Sequence, residues 1–395
     1  MKLIKRDKRK IFFVMIFVGI IMRFSVATIG HNFDFDSYCI VGEIAGHFRN
    51  VYAETYRYNY APVFLCIQGV LYRIAQISPN NWMLLYRGLI IATLTAADLG
   101  ITAFLAKKYS YTTAIIFFIN PVSIIITGYH NQFDNIAVLF ALMSTRFFND
   151  EKKLNKKDIG FVAFFSLSLL TKHILFIFPI FILFMKKLPL KKKALYMIVP
   201  PVIFLMSFIP FALSSNEAYQ GIINNVFKYR SFNNAPIMHF LYEWIGFPQE
   251  ERLFVYIIIM IGVAWIVRKN KFEHIMLIYF IAMVAFSSAI ANQYLVIPMA
   301  ALCVLSVWKW DVIYMTTTTI YLVLQVEGLG LLQKLNLQNT GTILDIYCDR
   351  IYGYVIAVWI LFFALIHVLL INRKEDERIT YGRRFQLVKR YKRNR

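Results

Sequence analysis

The sequence has few acidic residues and no paired cysteines. Its 22 Asp and Glu residues are outnumbered by 43 Lys and Arg residues, and its four cysteines lie far apart. Without closely spaced cysteines, no metal cluster is expected. The sequence also has no internal repeat, no low-complexity segment and no stretch that indicates a separate soluble domain.

The formal net charge of +21 does not indicate a nucleic-acid partner. The basic residues cluster between apolar runs and at both ends of the chain, which is the distribution that the positive-inside rule describes for membrane proteins. Most of the Lys and Arg residues fall in segments that this rule assigns to the cytoplasm. We therefore expect both termini to be cytoplasmic.

Apolar residues make up 59% of the sequence, and the mean hydropathy is +0.56. Apolar runs recur along the whole length, and each is about long enough to cross a hydrocarbon core of ~30 Å. The first run, 11–29, is followed by no small-residue cleavage site, so we expect a membrane span rather than a cleaved signal peptide. The sequence thus predicts an all-α, polytopic transmembrane bundle.

The charge pattern predicts about twelve spans. Segment 60–77 is apolar, but counting it as a span would place Lys107 and Lys108 outside, so we expect it to lie at the interface. A lysine at the middle of a span is costly, so 159–185 is predicted to break at Lys172 into two short helices. The other predicted spans are 11–29, 84–106, 111–128, 135–148, 194–213, one ending at 268, 274–290, one ending at 308, 312–330 and 351–371.

Two carboxylates, Asp34 and Asp36, directly follow the first predicted span. Carboxylates at a membrane surface are not needed for insertion, so they indicate a function. A catalytic base or a metal site is one interpretation, and solvated acids that cap a helix are the other. The predicted topology places both carboxylates on the outer side of the membrane.

Further polar residues fall on the same side in this topology. They are His130, Gln132 and Asp134 after the third span, Lys172 and His173 at the predicted break, Arg230 in the loop 214–252, and Asn292 and Gln293 after the ninth span. Structural alternatives stay open: Asp134 suits a helix N-cap, and Gln293 suits an interhelical hydrogen bond. Together, however, carboxylates that accept a proton and cations that bind phosphate suit a reaction on an anionic, lipid-anchored substrate.

Five segments resemble the GT-C glycosyltransferases, integral-membrane enzymes that use polyprenyl-phosphate-linked sugars. In chain order they are Asp34–Asp36 with Tyr38, the aromatic-proline segment Tyr58–Pro62, Asn120–Pro121 with His130–Asn135, Lys172 with Pro179, and Asn292–Tyr294 with Pro298. The third is similar to a block of the endoplasmic-reticulum glucosyltransferases. The fifth is similar to a late signature of the GPI-type mannosyltransferases. The resemblance covers about residues 10–300.

The resemblance implies a GT-C-like bundle whose large first outer loop carries juxtamembrane helices. Residues 1–213 would form the catalytic module, 214–371 the second outer loop and the remaining spans, and 372–395 a basic cytoplasmic tail. Asp34 is the first candidate for the general base and Asp36 the second. Lys172, His173 and Arg230 are implied to bind the donor phosphate. The implied substrate-binding residues are Tyr60, His130, Gln132, Asp134, Asn292 and Gln293.

The expected reaction transfers a mannose-like or glucose-like hexose, with inversion, to a hydroxyl of a glycan, glycolipid or protein acceptor. No cofactor is assigned, and a divalent metal stays open. Two other classes stay open as well. A lipid-linked oligosaccharide polymerase or ligase would use similar chemistry, and a glycolipid transporter would need charges along the midplane and repeated halves, which the sequence does not have.

Overall fold

The computed structural model describes residues 2–229, 235–246, 248, 251–305, 309–337 and 354–371. Every regular element within these ranges is a helix. Arg230 and the basic tail 372–395 lie outside the described residues. The helices are α1 Lys2–Ala27, α2 Phe33–Gly46, α3 Val51–Glu54, α4 Pro62–Ala75, α5 Trp82–Lys108, α6 Tyr111–Phe118, α7 Pro121–Ile125, α8 Asp134–Phe147, α9 Lys156–Thr171, α10 Pro179–Phe184, α11 Leu190–Met206, α12 Ile209–Ala212, α13 Asn216–Ile222, α14 Pro236–Ile245, α15 Arg252–Val267, α16 Phe272–Ala285, α17 Met299–Leu305, α18 Trp310–Leu324, α19 Leu331–Lys334 and α20 Tyr354–Ile371.

Several helices are long and apolar enough to cross a membrane. Four qualify singly, namely Lys8–Ala27, Pro79–Lys108, Leu190–Ala212 and Tyr354–Ile371, and two bent pairs raise the number to six among the described residues. Large apolar side chains such as Phe17 at 65% exposure are open on the outer faces of these helices, as a lipid-facing surface requires. The predicted all-helical fold is therefore confirmed for the described residues, and several of its helices could cross a membrane. The number of twelve spans stays a prediction.

Two pairs of consecutive apolar helices are bent at the break between them. The pair Tyr111–Phe118 and Pro121–His130 bends by 45°, where the Asn120 side chain accepts a hydrogen bond from the amide of Val122. The pair Lys156–Thr171 and His173–Phe184 bends by 112° at Lys172, whose backbone is extended. The predicted two helices around Lys172 are present, while the third predicted span is not straight.

The first connecting segment contains three helices. The resemblance implies juxtamembrane helices there, and only 60–77 is given bounds. The helix α4 matches 60–77, and α2 and α3 precede it. Asn32 caps the start of α2, because its side chain accepts a hydrogen bond from the Asp34 amide at 3.1 Å. Its buried residues Phe35, Tyr38 and Val41 recur at helical spacing, and α2 packs along α4.

The helix α16 is the centre of the bundle. All of its residues from 275 to 285 are buried, which agrees with their unbroken apolar sequence. It packs against α8, α15 and α17. Two of its side chains, Tyr279 and Met283, reach the wall of the cavity described below.

Candidate functional site

A cavity of about 1600 Å³ lies among α2, the turn after α7, the bend at Lys172, α15 and α16. It exceeds the roughly 300–1,000 Å³ of an ordinary small-molecule site. Its polar wall includes His31, Asn32, Asp34, His130, Lys172 and His173. Its apolar wall includes Ile174, Ile177, Leu253, Tyr256, Ile257 and Met283. A cavity lined by both polar and apolar side chains suits an amphiphilic molecule.

The Asp34 carboxylate faces this cavity and is held by two amides. Asn32 Nδ2 donates to Asp34 Oδ2 at 2.9 Å, and Gln132 Nε2 donates to the same oxygen at 2.5 Å. Burial raises the pKa of the Asp34 carboxyl, and the charge of Glu327 raises it further. The hydrogen bonds from the two amides and the charge of Lys172 lower this pKa, but the net shift is upward. A carboxylate with a raised pKa is a stronger base than a free one.

Asp36 points elsewhere. Its side chain is 58% exposed, does not line the cavity, and lies 3.9 Å from Nδ1 of His31. Residues two apart in a helix point in different directions, so the helical start of α2 separates the two carboxylates. Of the two predicted acids, only Asp34 is in a position to react with a molecule in the cavity.

Asn32 connects Asp34 to His130. The side-chain carbonyl oxygen of Asn32 accepts a hydrogen bond from the backbone amide of Asp34. This contact directs the side-chain amino group of Asn32 toward Asp34 Oδ2 and toward His130 Nδ1, which lies 2.8 Å away. Nδ1 of His130 therefore accepts, and the ring proton of the neutral histidine is on Nε2. His130 is 1% exposed, and no described residue pairs with its Nε2. This N–H is available to an oxygen of a bound molecule.

Lys172 and Asp134 form a fully buried ion pair. Lys172 Nζ lies 2.7 Å from Asp134 Oδ2, and both side chains are at most 3% exposed. The ammonium also lies 4.9–5.8 Å from the ring centres of Tyr60, Phe133 and Tyr294. Asp134 thus binds Lys172, and α8 begins without a side-chain cap. Lys172 lines the cavity, and Asp134 lies behind it.

The remaining predicted residues take different positions. His173 stacks on Tyr60 with ring centres 5.9 Å apart, and both line the cavity. Asn292 lines it too, but its amide donates to Gln325 and accepts from the Tyr321 and Tyr354 hydroxyls. The predicted residues on the cavity wall are Asp34, Tyr60, His130, Lys172, His173, Asn292 and Gln293, while Gln132 and Asp134 support this wall from behind.

The sequence analysis missed a second buried network. Arg23 in α1 and Asp98 in α5 are completely buried and paired, with Arg23 Nη2 at 2.8 Å from Asp98 Oδ2. Asp98 also accepts from Thr127 at 2.9 Å and from Asn135 at 2.6 Å. Thr127 and Asn135 flank the segment that carries His130, so this network positions it. The signal was available, because each charge stands alone inside an apolar run.

No group of three or more His, Cys, Asp or Glu side chains lies close enough to hold a metal ion within the described ranges. Comparison with models of protein families and with curated protein sequences finds no match to this chain.

Proposed function

We propose that the chain is a membrane glycosyltransferase that moves a hexose from a polyprenyl-phosphate donor to an acceptor hydroxyl. The observation that supports it best is the Asp34 carboxylate, which Asn32 and Gln132 fix at the wall of a large cavity that apolar side chains also line. Such a cavity suits a sugar phosphate on an isoprenoid chain. It also leaves room for the acceptor.

In this proposal, Asp34 accepts the proton of the acceptor hydroxyl as general base. The acceptor oxygen attacks the anomeric carbon and forms the new glycosidic bond. The bond between that carbon and the phosphate oxygen breaks, and its electron pair leaves with the polyprenyl phosphate. Attack opposite to the leaving group inverts the anomeric centre. The His130 Nε2–H binds a sugar oxygen and contributes to orientation.

The leaving phosphate gains negative charge, so positive charge nearby lowers the barrier. Lys172 supplies that charge from the wall of the cavity, and His173 supplies a ring N–H beside Tyr60. In the proposed division, these groups belong to the catalytic module 1–213, and residues 214–371 complete the cavity. A divalent metal is not needed for any of these steps.

A transfer assay tests the function. The purified protein in lipid nanodiscs is given polyprenyl-phosphate mannose or glucose with a panel of glycan, glycolipid and peptide acceptors. We expect release of polyprenyl phosphate together with a glycosylated acceptor. Movement of the intact glycolipid across a vesicle membrane without bond cleavage would indicate a transporter instead.

The pH dependence of the transfer rate should report the protonation of the Asp34 carboxyl. Protonated Asp34 cannot accept a proton, so kcat/KM should fall as the pH falls through its pKa. Because burial raises that pKa, the midpoint should lie above the ordinary value of 3.8. Glu327→Gln removes a charge that raises the pKa and should lower the midpoint. Gln132→Leu removes a hydrogen bond to the ionised form and should raise it.

Initial rates after return to pH 7 control for irreversible unfolding at acid pH. A midpoint that stays unchanged in both variants would exclude Asp34 as the titrating base.

The proposed topology places both termini in the cytoplasm and the polar wall of the cavity outside. In a cysteine-free background, a cysteine at Tyr56, which is 73% exposed, should react with an impermeant maleimide in intact cells. A cysteine at the exposed Lys153 should react only after permeabilisation. The reverse labelling pattern would contradict the topology.

A further inference from the structure

Arg252 is a cation on the cavity wall with an unsatisfied donor. It is the first residue of α15 and lines the cavity. Its Nη1 is buried, and no described residue accepts a hydrogen bond from it. A guanidinium does not lose its charge in a protein. A buried donor without an acceptor is costly, so a ligand oxygen at this position would be stabilising.

The other buried cations described above have partners. Lys172 is neutralised by Asp134 at 2.7 Å, and Arg23 is neutralised by Asp98 at 2.8 Å. The Asp134 carboxylate offsets the charge of Lys172, so a phosphate experiences less of that positive charge than it would from an unpaired cation. Arg252 has a guanidinium donor available, and the planar fork of a guanidinium matches two phosphate oxygens.

The surroundings of Arg252 indicate what kind of anion fits. Leu253, Tyr256 and Ile257 line the cavity along the same helix, directly beyond the cation. Leu253 and the neighbouring Phe254 are 56% and 57% exposed, so this end of α15 stands at the rim of the bundle. A positive group at one end of an apolar wall matches a phosphate at one end of a lipid chain.

We propose that Arg252 binds the phosphate of the lipid-linked donor directly, with the isoprenoid chain along Leu253, Tyr256 and Ile257. This inference rests on the proposed function for the identity of the donor. It adds to the predicted cations a residue that the sequence analysis did not single out. Lys172 then stabilises the same phosphate at longer range.

A binding experiment without transfer tests the assignment. The probe is a short-chain polyprenyl monophosphate, titrated into the protein in nanodiscs of neutral lipid. Arg252→Gln should weaken binding by about 10- to 100-fold, because a charge-assisted hydrogen bond is lost. Arg252→Lys should fall between Gln and wild type, since the charge remains without the fork. Arg49→Gln, an exposed cation paired with Glu54, is the charge-matched control.

Two further probes identify the recognised group. The corresponding polyprenol lacks phosphate, so its binding should be equal in wild type and Arg252→Gln. Phosphatidylglycerol should compete poorly. Equal competition by phosphatidylglycerol would make Arg252 a general lipid-headgroup contact and overturn the proposal. The proposal would also be overturned if the Arg252→Gln variant bound the monophosphate as tightly as the Arg49→Gln variant does.

The outcomes separate this inference from the proposed function. If monophosphate binding depends on Arg252 but the protein transfers no sugar, the anion site is supported and the glycosyltransferase function is rejected. If the protein transfers sugar but Arg252→Gln changes neither monophosphate binding nor the donor KM, the anion site is rejected and the glycosyltransferase function is retained. Thermal unfolding of each variant verifies that the fold is intact.

Discussion

Asp34→Asn should abolish sugar transfer and leave the fold intact. The asparagine keeps the shape of the side chain, and its oxygen still accepts hydrogen bonds from Asn32 and Gln132, which hold Asp34 at 2.9 Å and 2.5 Å. It cannot accept the acceptor proton. A positioned base contributes about 10²–10⁴-fold, so the loss of kcat should fall in that range. Single-turnover transfer by the purified variant measures it.

Asp36→Asn is the matched control, because it removes the neighbouring carboxylate from the same helical turn. Asp36 is exposed and does not line the cavity, so the change should be mild. If Asp36→Asn were the damaging variant and Asp34→Asn nearly silent, the base would be Asp36. Activity of Asp34→Asn within a few-fold of wild type would exclude Asp34 as the base.

Lys172→Ala should have the second large effect, on both stability and transfer. It leaves the Asp134 carboxylate buried without its cation, and breaking a buried pair in this way costs about 3–5 kcal/mol. Lys172→Arg keeps the charge and should retain part of both properties. Thermal unfolding in detergent and donor KM in the transfer assay measure the two effects separately.

The double variant Lys172→Met with Asp134→Asn separates the structural role from the catalytic one. Both charges are removed, so the fold should regain most of the lost stability. If the ammonium stabilises the leaving phosphate, the double variant should be stable and inactive. Recovered transfer in that variant would show that Lys172 acts only as the partner of Asp134.

The pairing of Lys172 with Asp134 could have been predicted from the helix order. Asp134 begins α8, and Lys172 follows the last residue of α9. Antiparallel neighbouring helices joined by a short loop place the start of the first beside the end of the second. The sequence analysis predicted the break at Lys172 but treated each residue as an independent ligand.

Other features of the site depend on packing that sequence patterns do not express. Asn32 is one polar residue among many in a connecting segment, and only the geometry of its amide reveals that it links Asp34 to His130. The sequence analysis did not single out Arg252. Its importance depends on the finding that no residue in the described part of the chain accepts a hydrogen bond from Nη1, which no linear pattern can encode.

A structure of the protein with a non-transferable polyprenyl-phosphate hexose tests the central proposal most directly. We expect the sugar at the polar wall, with the Asp34 carboxylate on the side of the anomeric carbon opposite to the phosphate. The phosphate should contact Arg252, and the isoprenoid chain should follow α15. An analogue bound outside the cavity would contradict the account. So would an analogue bound inside it whose anomeric carbon is too far from Asp34 for an acceptor hydroxyl to lie between them.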